Sequence, residues 1–157
     1  MSTSTVPSQR QHKIDLTYIK MAQIWAELSH ATRKKVGALI VKNNTIIADG
    51  YNGTPSGFEN ECEIAVNNED GTFKEYKTKW YVLHAESNAL AKVAKSTQSC
   101  DGATLYITYS PCTECSKLIL QSGIKKVVYL EEYRDIAGLD FLRRAGVEVK
   151  KINIEND

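Results

Sequence analysis

Two short stretches concentrate residues that can hold a metal and move a proton: His84-Ala85-Glu86 and Pro111-Cys112-Thr113-Glu114-Cys115. Cys112 and Cys115 are three positions apart, so at the start of a helix both thiols fall on one face. Backbone N–H groups left unpaired there, and the helix dipole, favour the thiolate form. Pro111, at or just before the first turn, removes no intrahelical hydrogen bond. His84 opens a second helical run, so two helix N-termini that meet would bring one imidazole and two thiolates together. Three protein ligands leave one corner of a tetrahedral zinc open, which is what separates a catalytic ion from a closed structural one. Glu86, two residues past His84, can reach that corner without ligating. It is the candidate catalytic residue, taking a proton from water and passing it to a ring nitrogen, then protonating the departing amine with a second. The chemistry this describes is hydrolytic removal of an amino group from an amidine-like carbon. A thioredoxin-like redox role for Cys112 and Cys115 would leave His84 and Glu86 without a purpose.

Size and charge narrow the substrate. A chain of 157 residues can bury one core, and 42% hydrophobic with 25% charged residues is an ordinary water-soluble mixture. The formal net charge is +1, too small a basic excess for a protein that grips a long phosphate backbone. A small anionic ligand, needing two or three basic residues, is compatible; a polynucleotide is not expected. No apolar run approaches the roughly 20 residues of a membrane span, and Met1–Gln11 lacks the apolar centre of a secretory signal. A cytoplasmic location and no membrane partner are therefore expected, with residues 1–11 a flexible arm and 12–157 a single domain.

The elements that must position the site follow from periodicity. Ile14, Tyr18, Met21, Ala22, Trp25 and Leu28 recur at helical spacing from a cap at Asp15 to about His30. Val36–Val41 and Thr45–Asp49 read as a hairpin turning at Asn43-Asn44. At its entrance stand Arg33, Lys34 and Lys35, either a solvated helix end or a phosphate anchor, Arg33 being the candidate. The stretch Gly50–Phe58 has three glycines and a proline, which lets backbone approach a ligand, and the Asn52 amide can recognise a hydroxyl or phosphate oxygen. Glu59–Trp80 reads as a long polar loop with a turn at Asn67–Gly71, a lid or an assembly surface if ordered. Beyond it, helices over His84–Lys95, Cys112–Ser122 and Ile136–Ala145 alternate with strands over Ala103–Thr108, Lys126–Leu130 and Val147–Ile152. An opening hairpin followed by such alternation predicts an α/β fold of three layers with a mixed sheet.

Taken together, five segments resemble the cytidine deaminase superfamily of zinc enzymes, and within it the deoxycytidylate (dCMP) deaminases. They are Val36-Gly37-Ala38, the loop from Gly50 to Gly57, His84-Ala85-Glu86-Ser87-Asn88-Ala89, Ser110 to Cys115, and Gln121-Ser122-Gly123-Ile124-Lys125. The likeness runs from about Tyr18 to Val149, and the Tyr-Asn-Gly loop is the part that singles out this branch. The resemblance implies a five-stranded mixed sheet flanked by helices (α/β/α), assembled as a homohexamer. It implies conversion of dCMP to dUMP and ammonia, supplying thymidylate synthesis, with one Zn2+ on His84, Cys112 and Cys115. It further implies activation by dCTP and inhibition by dTTP, with Mg2+ on the triphosphate. Arg33, Asn52, Tyr133 and Arg134 are the expected substrate contacts, and Ser110 and the backbone near Ala85 are expected at the base. Arg134 qualifies because it lies on a loop after a strand, where α/β sheets present ligand groups. Asn52, Gly53, Lys92 and Lys95 are the expected effector contacts, although Lys92 and Lys95 also read as solvated charge. Some members carry a second, structural zinc; here Cys62 is the sole cysteine between Asn52 and His84 and no histidine accompanies it, so one zinc per chain is expected.

Overall fold

The computed structural model describes residues 8–154. Its elements are α1 (Gln9–Ala26), β1 (Gly37–Lys42), β2 (Thr45–Tyr51), β3 (Glu63–Asn67), β4 (Phe73–Thr78), α2 (Ala85–Ala94), β5 (Thr104–Tyr109), α3 (Thr113–Gln121), β6 (Lys126–Glu131), α4 (Ala137–Arg144) and β7 (Glu148–Lys151). Five strands form one sheet in the order β2-β1-β5-β6-β7. β1 is antiparallel to both β2 and β5, while β5, β6 and β7 run parallel. The parallel steps are made through α3 and α4, as parallel strands require a crossover. The expected hairpin turn is present: Asn43 and Asn44 adopt φ of 51° and 59°, the left-handed pair that a two-residue connection needs.

Successive residues of a strand face opposite sides, and the core divides accordingly. Ala38, Ile40, Leu105, Ile107, Val127 and Tyr129 face α2, α3 and α4 through Ala85, Ala89, Ile119, Leu139 and Leu142. Leu39, Val41, Tyr106 and Val128 face α1 through Leu16, Ile19 and Ala22. The result is the expected three-layer α/β/α arrangement. Among the described residues no helix is long and apolar enough to cross a membrane.

Three expectations are corrected. First, α1 begins at Gln9, capped by Ser8, whose Oγ accepts the Gln11 amide at 3.2 Å. Gln9, Arg10 and Gln11 of the expected flexible arm are therefore helical; residues 1–7 lie outside the described residues. Second, Asp15 is not a cap but a fully buried acid in the middle of the helix. The packed stripe is Asp15, Leu16, Ile19, Ala22 and Ala26, whereas Met21 and Leu28 of the expected stripe are exposed. Close approach decides this. A Cβ on Gly37 would lie 2.0 Å from the Ala22 carbonyl oxygen, so α1 rests on β1 through its small residues. Third, the segment expected to be a long loop folds back as an antiparallel hairpin of β3 and β4, with Glu63 opposite Thr78. Its turn is where expected, tied by Asp70 Oδ1 accepting the Thr72 amide at 2.9 Å. Ile64, Phe73 and Tyr76 remain exposed on this two-stranded ribbon, so no buried face imprints a period-two pattern on the sequence.

Candidate active site

α2 and α3 bring their N-termini together on one side of the sheet. His84 is the N-cap residue of α2 and Cys112 that of α3. Each start is braced by a glycine. A Cβ on Gly50 would meet the Ala85 carbonyl oxygen at 2.2 Å, and one on Gly138 would meet the Pro111 carbonyl oxygen at 2.4 Å. β2 thus presses against the first turn of α2, and α4 against the turn that leads into α3.

His84 Nδ1 lies 3.6 Å from Cys112 Sγ and 3.4 Å from Cys115 Sγ. Tetrahedral zinc, with bonds of about 2.3 Å to sulfur and 2.0–2.1 Å to nitrogen, sets such N···S edges near 3.5 Å. These donors and a Glu86 carboxylate oxygen all fall within 4.8 Å of one another. A soft set of two thiolates and an imidazole fits zinc in both geometry and ligand type. Cys115 and Glu86 are buried, Cys112 is half-buried and His84 is exposed.

The local electrostatics are those of a site that concentrates negative charge. Hydrogen bonds from Cys115 and then from His84 hold the Cys112 thiol down, to about 3. Its hydrogen bond to Cys112, followed by burial, pushes the Cys115 thiol up: two sulfurs this close share one negative charge until a cation joins them. The hydrogen bond with Cys112 raises the His84 imidazole against the opposing effect of burial. Burial raises the Glu86 carboxyl, so it holds a proton more readily than an exposed glutamate.

A cavity of about 370 Å³ opens onto this cluster. His84, Ala85, Glu86 and Cys112 line it together with Arg33, Asn52, Ser110 and Tyr133. Five of the six residues expected at a substrate therefore converge there, and Arg134 does not; it is exposed on the loop after β6. Ser110 is buried and its Oγ accepts the Tyr133 amide at 2.6 Å, which folds that loop over the cavity. Both ends of the Asn52 amide act on backbone: Nδ2 donates to the Lys34 carbonyl at 2.7 Å, and Oδ1 accepts the Val36 amide at 2.8 Å. Asn52 is thus a clamp on the segment carrying Arg33 and Lys34, using one amide hydrogen and one lone pair. Gly53 pairs with Leu83 through both its N–H and its carbonyl, at 3.1 and 2.8 Å, closing the loop beside His84. Lys92 is ion-paired with Asp49, which also accepts Trp25 Nε1 at 3.0 Å, and Lys95 is exposed at the end of α2; neither borders the cavity.

Several lining residues lie outside the six expected substrate contacts. Lys34 is ion-paired with Glu131 and stands 4.7 Å from the centre of the Tyr109 ring; its place beside Arg33 was the available signal. Tyr109 directly precedes Ser110 and meets Tyr133 edge-on at 5.3 Å. Cys62, Glu63 and Thr78 come from the hairpin region and could be found only by seeing that hairpin fold back.

Comparison with known proteins agrees with this geometry. The family described as the cytidine and deoxycytidylate deaminase zinc-binding region matches residues 12–131. The deoxycytidylate deaminase of Enterobacteria phage T4 is 36% identical over 174 residues, covering 89% of this chain and 90% of its own. The crystal structure of a dCMP deaminase from the cyanophage S-TIM5, in complex with dCMP and dUMP, superimposes with a TM-score of 0.79 at 50% identity, covering 89% of this chain and 97% of its own. A diaminohydroxyphosphoribosylaminopyrimidine deaminase/5-amino-6-(5-phosphoribosylamino)uracil reductase from Thermotoga maritima superimposes with a TM-score of 0.66 at 27% identity, covering 89% of this chain and 36% of its own.

Proposed function

The chain belongs to the family of cytidine and deoxycytidylate deaminases with a zinc-binding region, and from that premise we propose that it hydrolyses dCMP to dUMP and ammonia. The observation that carries this reading is one cavity that takes in His84, Glu86 and Cys112 together with two cationic side chains, Arg33 and Lys34. An amino-bearing base at the first group and a phosphate at the second account for both. The names of the phage relatives support the substrate.

His84 Nδ1, Cys112 Sγ and Cys115 Sγ would hold the metal, one zinc per chain. When bound there, zinc supplies a Lewis acid that brings the acidity of a water toward neutral pH. Glu86 carries the water's two protons one after the other, the first to the ring nitrogen and the second to the leaving amine; its buried position raises its proton affinity toward that task. Ala85 and Ser110 flank the base, and Tyr133 borders the nucleoside. Arg33 takes the phosphate, since a guanidinium offers two parallel donors to its oxygens. Lys34, already paired with Glu131, adds a partly neutralised second charge. Arg134, outside the cavity lining, acts at most through long-range attraction of the anion.

The same reading extends to residues 12–157 as a single deaminase domain in a cytoplasmic homohexamer that supplies thymidylate synthesis. Its effectors are dCTP as activator and dTTP as inhibitor, each with Mg2+ on the triphosphate. Of the effector contacts Asn52, Gly53, Lys92 and Lys95, the amide of Asn52 and the backbone of Gly53 are already committed to loop structure, and Lys92 to Asp49. Lys95 is the least encumbered of the four. The near-neutral charge supports a mononucleotide rather than a polynucleotide substrate.

The test is ammonia release by zinc-loaded protein from dCMP, dCTP, CMP and deoxycytidine, each with and without dCTP or dTTP as effector. Turnover of dCMP far above deoxycytidine is expected, with dTTP making the dCMP response sigmoidal. Equal turnover of deoxycytidine would overturn the substrate assignment, and a hyperbolic, dTTP-insensitive curve would overturn the regulation.

A further inference from the structure

The hairpin of β3 and β4 takes no part in the reaction as derived above, yet Glu63 and Thr78 line the cavity. They are directly opposite each other in the hairpin register, so one cross-strand pair reaches the site. What they touch is the segment between α1 and β1 that carries Arg33. Residues 31–36 form neither helix nor strand, so their amides have no ladder of their own. The Glu63 carboxylate fills that gap. Its oxygens accept the Thr32 amide at 3.0 and 3.1 Å, and Oε1 also accepts the Arg33 amide at 3.2 Å. Across the hairpin, Thr78 Oγ1 accepts Arg33 Nη1 at 3.4 Å. Asn52 grips the same segment two to four residues on, at Lys34 and Val36.

We propose that Glu63 and Thr78 are specificity-determining positioning residues: they fix the main chain and the guanidinium of Arg33 so that it meets the substrate's phosphate, and thereby set the preference for a nucleoside monophosphate over a nucleoside. This rests on the assignment of Arg33 as phosphate anchor. The chemistry of the two contacts supports it. A carboxylate beside an arginine ordinarily captures the guanidinium. Here the carboxylate is spent on backbone amides, and the guanidinium's hydrogen bond goes to a neutral hydroxyl. Thr78 orients the group without neutralising it. At 3.4 Å that contact is also long, so charged phosphate oxygens outcompete it readily.

The test compares Glu63→Ala, Glu63→Gln, Thr78→Val and Arg33→Ala in the zinc-loaded full-length protein, reading kcat and KM for dCMP and for deoxycytidine. Zinc content and thermal unfolding are measured alongside. Glu63→Ala is expected to raise KM for dCMP about tenfold, with a much smaller change in kcat, and to lower the dCMP-to-deoxycytidine ratio of kcat/KM by a similar factor. Glu63→Gln keeps an acceptor oxygen and should stay within about threefold of the parent. Thr78→Val, which leaves the clamp on the main chain intact, should raise KM for dCMP by about two- to fivefold and keeps the proposal testable should Glu63→Ala not fold. A rise in KM with Arg33→Ala but with neither hairpin variant would overturn the role of the hairpin while leaving the anchor standing. The role is equally overturned if Glu63→Ala lowers kcat alike for both substrates. Unchanged dCMP kinetics in Arg33→Ala would instead remove the anchor itself, and with it the premise.

Discussion

Gly138 and Pro111 meet with no room for a side chain between them: a Cβ on Gly138 would lie 2.4 Å from the Pro111 carbonyl oxygen. The same atom would come within 3.0 Å of the Cys112 carbonyl carbon and 2.7 Å of Ser116 Oγ. The start of α4 therefore braces the turn that presents Cys112. Because two of these neighbours are backbone, relief requires the turn itself to move. Gly138→Ala is expected to cost about 1–3 kcal/mol of stability and to speed zinc release. Thermal unfolding and the rate of metal transfer to a chelator measure the two effects. Release at the parent rate would show that α4 packs beside the turn without holding it.

Glu86→Gln separates holding the metal from moving the proton. Glutamine has nearly the same shape, and Glu86 is buried, so the fold and the zinc content should survive. Turnover should fall by about 10²-fold to 10⁴-fold, the usual contribution of a positioned proton carrier. dUMP formation, set against zinc content in the same preparation, gives the answer. Substantial residual turnover would remove Glu86 from the proton path.

Lys34 and Arg33 border the same cavity, but Lys34 is paired with Glu131 and lies against the Tyr109 ring. Its charge is already partly compensated and exposed to solvent, where salt screens it. Lys34→Gln should therefore raise KM for dCMP only about two- to fivefold, less than Arg33→Ala, and the difference should shrink in high salt. An effect larger than that of Arg33→Ala would reverse the order of importance given to the two cations.

What could be read in the sequence was local, and what could not was tertiary. His84, Glu86, Cys112 and Cys115 were legible because a helix start fixes the relation between residues two or three apart, and the two starts do converge. The hairpin at Asn43-Asn44 was legible for the same reason. The packed stripe of α1 was misread because it begins at an acid and ends on small residues. A rule that counts only large apolar residues passes over Asp15, and over Ala26, where the sheet approaches the helix backbone. The β3–β4 ribbon left no imprint because neither of its faces is buried. Glu63 was invisible for a different reason. Its partners, the amides of Thr32 and Arg33, are 31 and 30 residues away and belong to a segment without regular structure.

Asp15 makes the stability of the fold depend on pH. Its carboxylate has no exposure, and burial alone would raise its pKa. The Tyr106 hydroxyl at 2.7 Å, Lys150 at 2.9 Å, Gln11 at 2.9 Å and Lys126 at 3.2 Å outweigh burial and leave the group below its ordinary value. A carboxyl whose folded pKa lies below its unfolded one, near 4, adds stability that is complete above about pH 4. That stability is lost as pH falls through the folded value. Asp15→Ala would leave two largely buried ammonium groups and a buried hydroxyl without their acceptor, at a cost of about 3–5 kcal/mol at pH 7. Asp15→Asn keeps an acceptor oxygen and removes the charge, so it isolates the electrostatic part. Urea unfolding at a series of pH values from 7 to 2 should show a gap between parent and Asp15→Asn that is constant near neutrality and narrows below about pH 4. A gap that stays constant to the acid end would mean that shape and hydrogen bonding, rather than the carboxylate charge facing Lys126 and Lys150, hold α1 to the sheet.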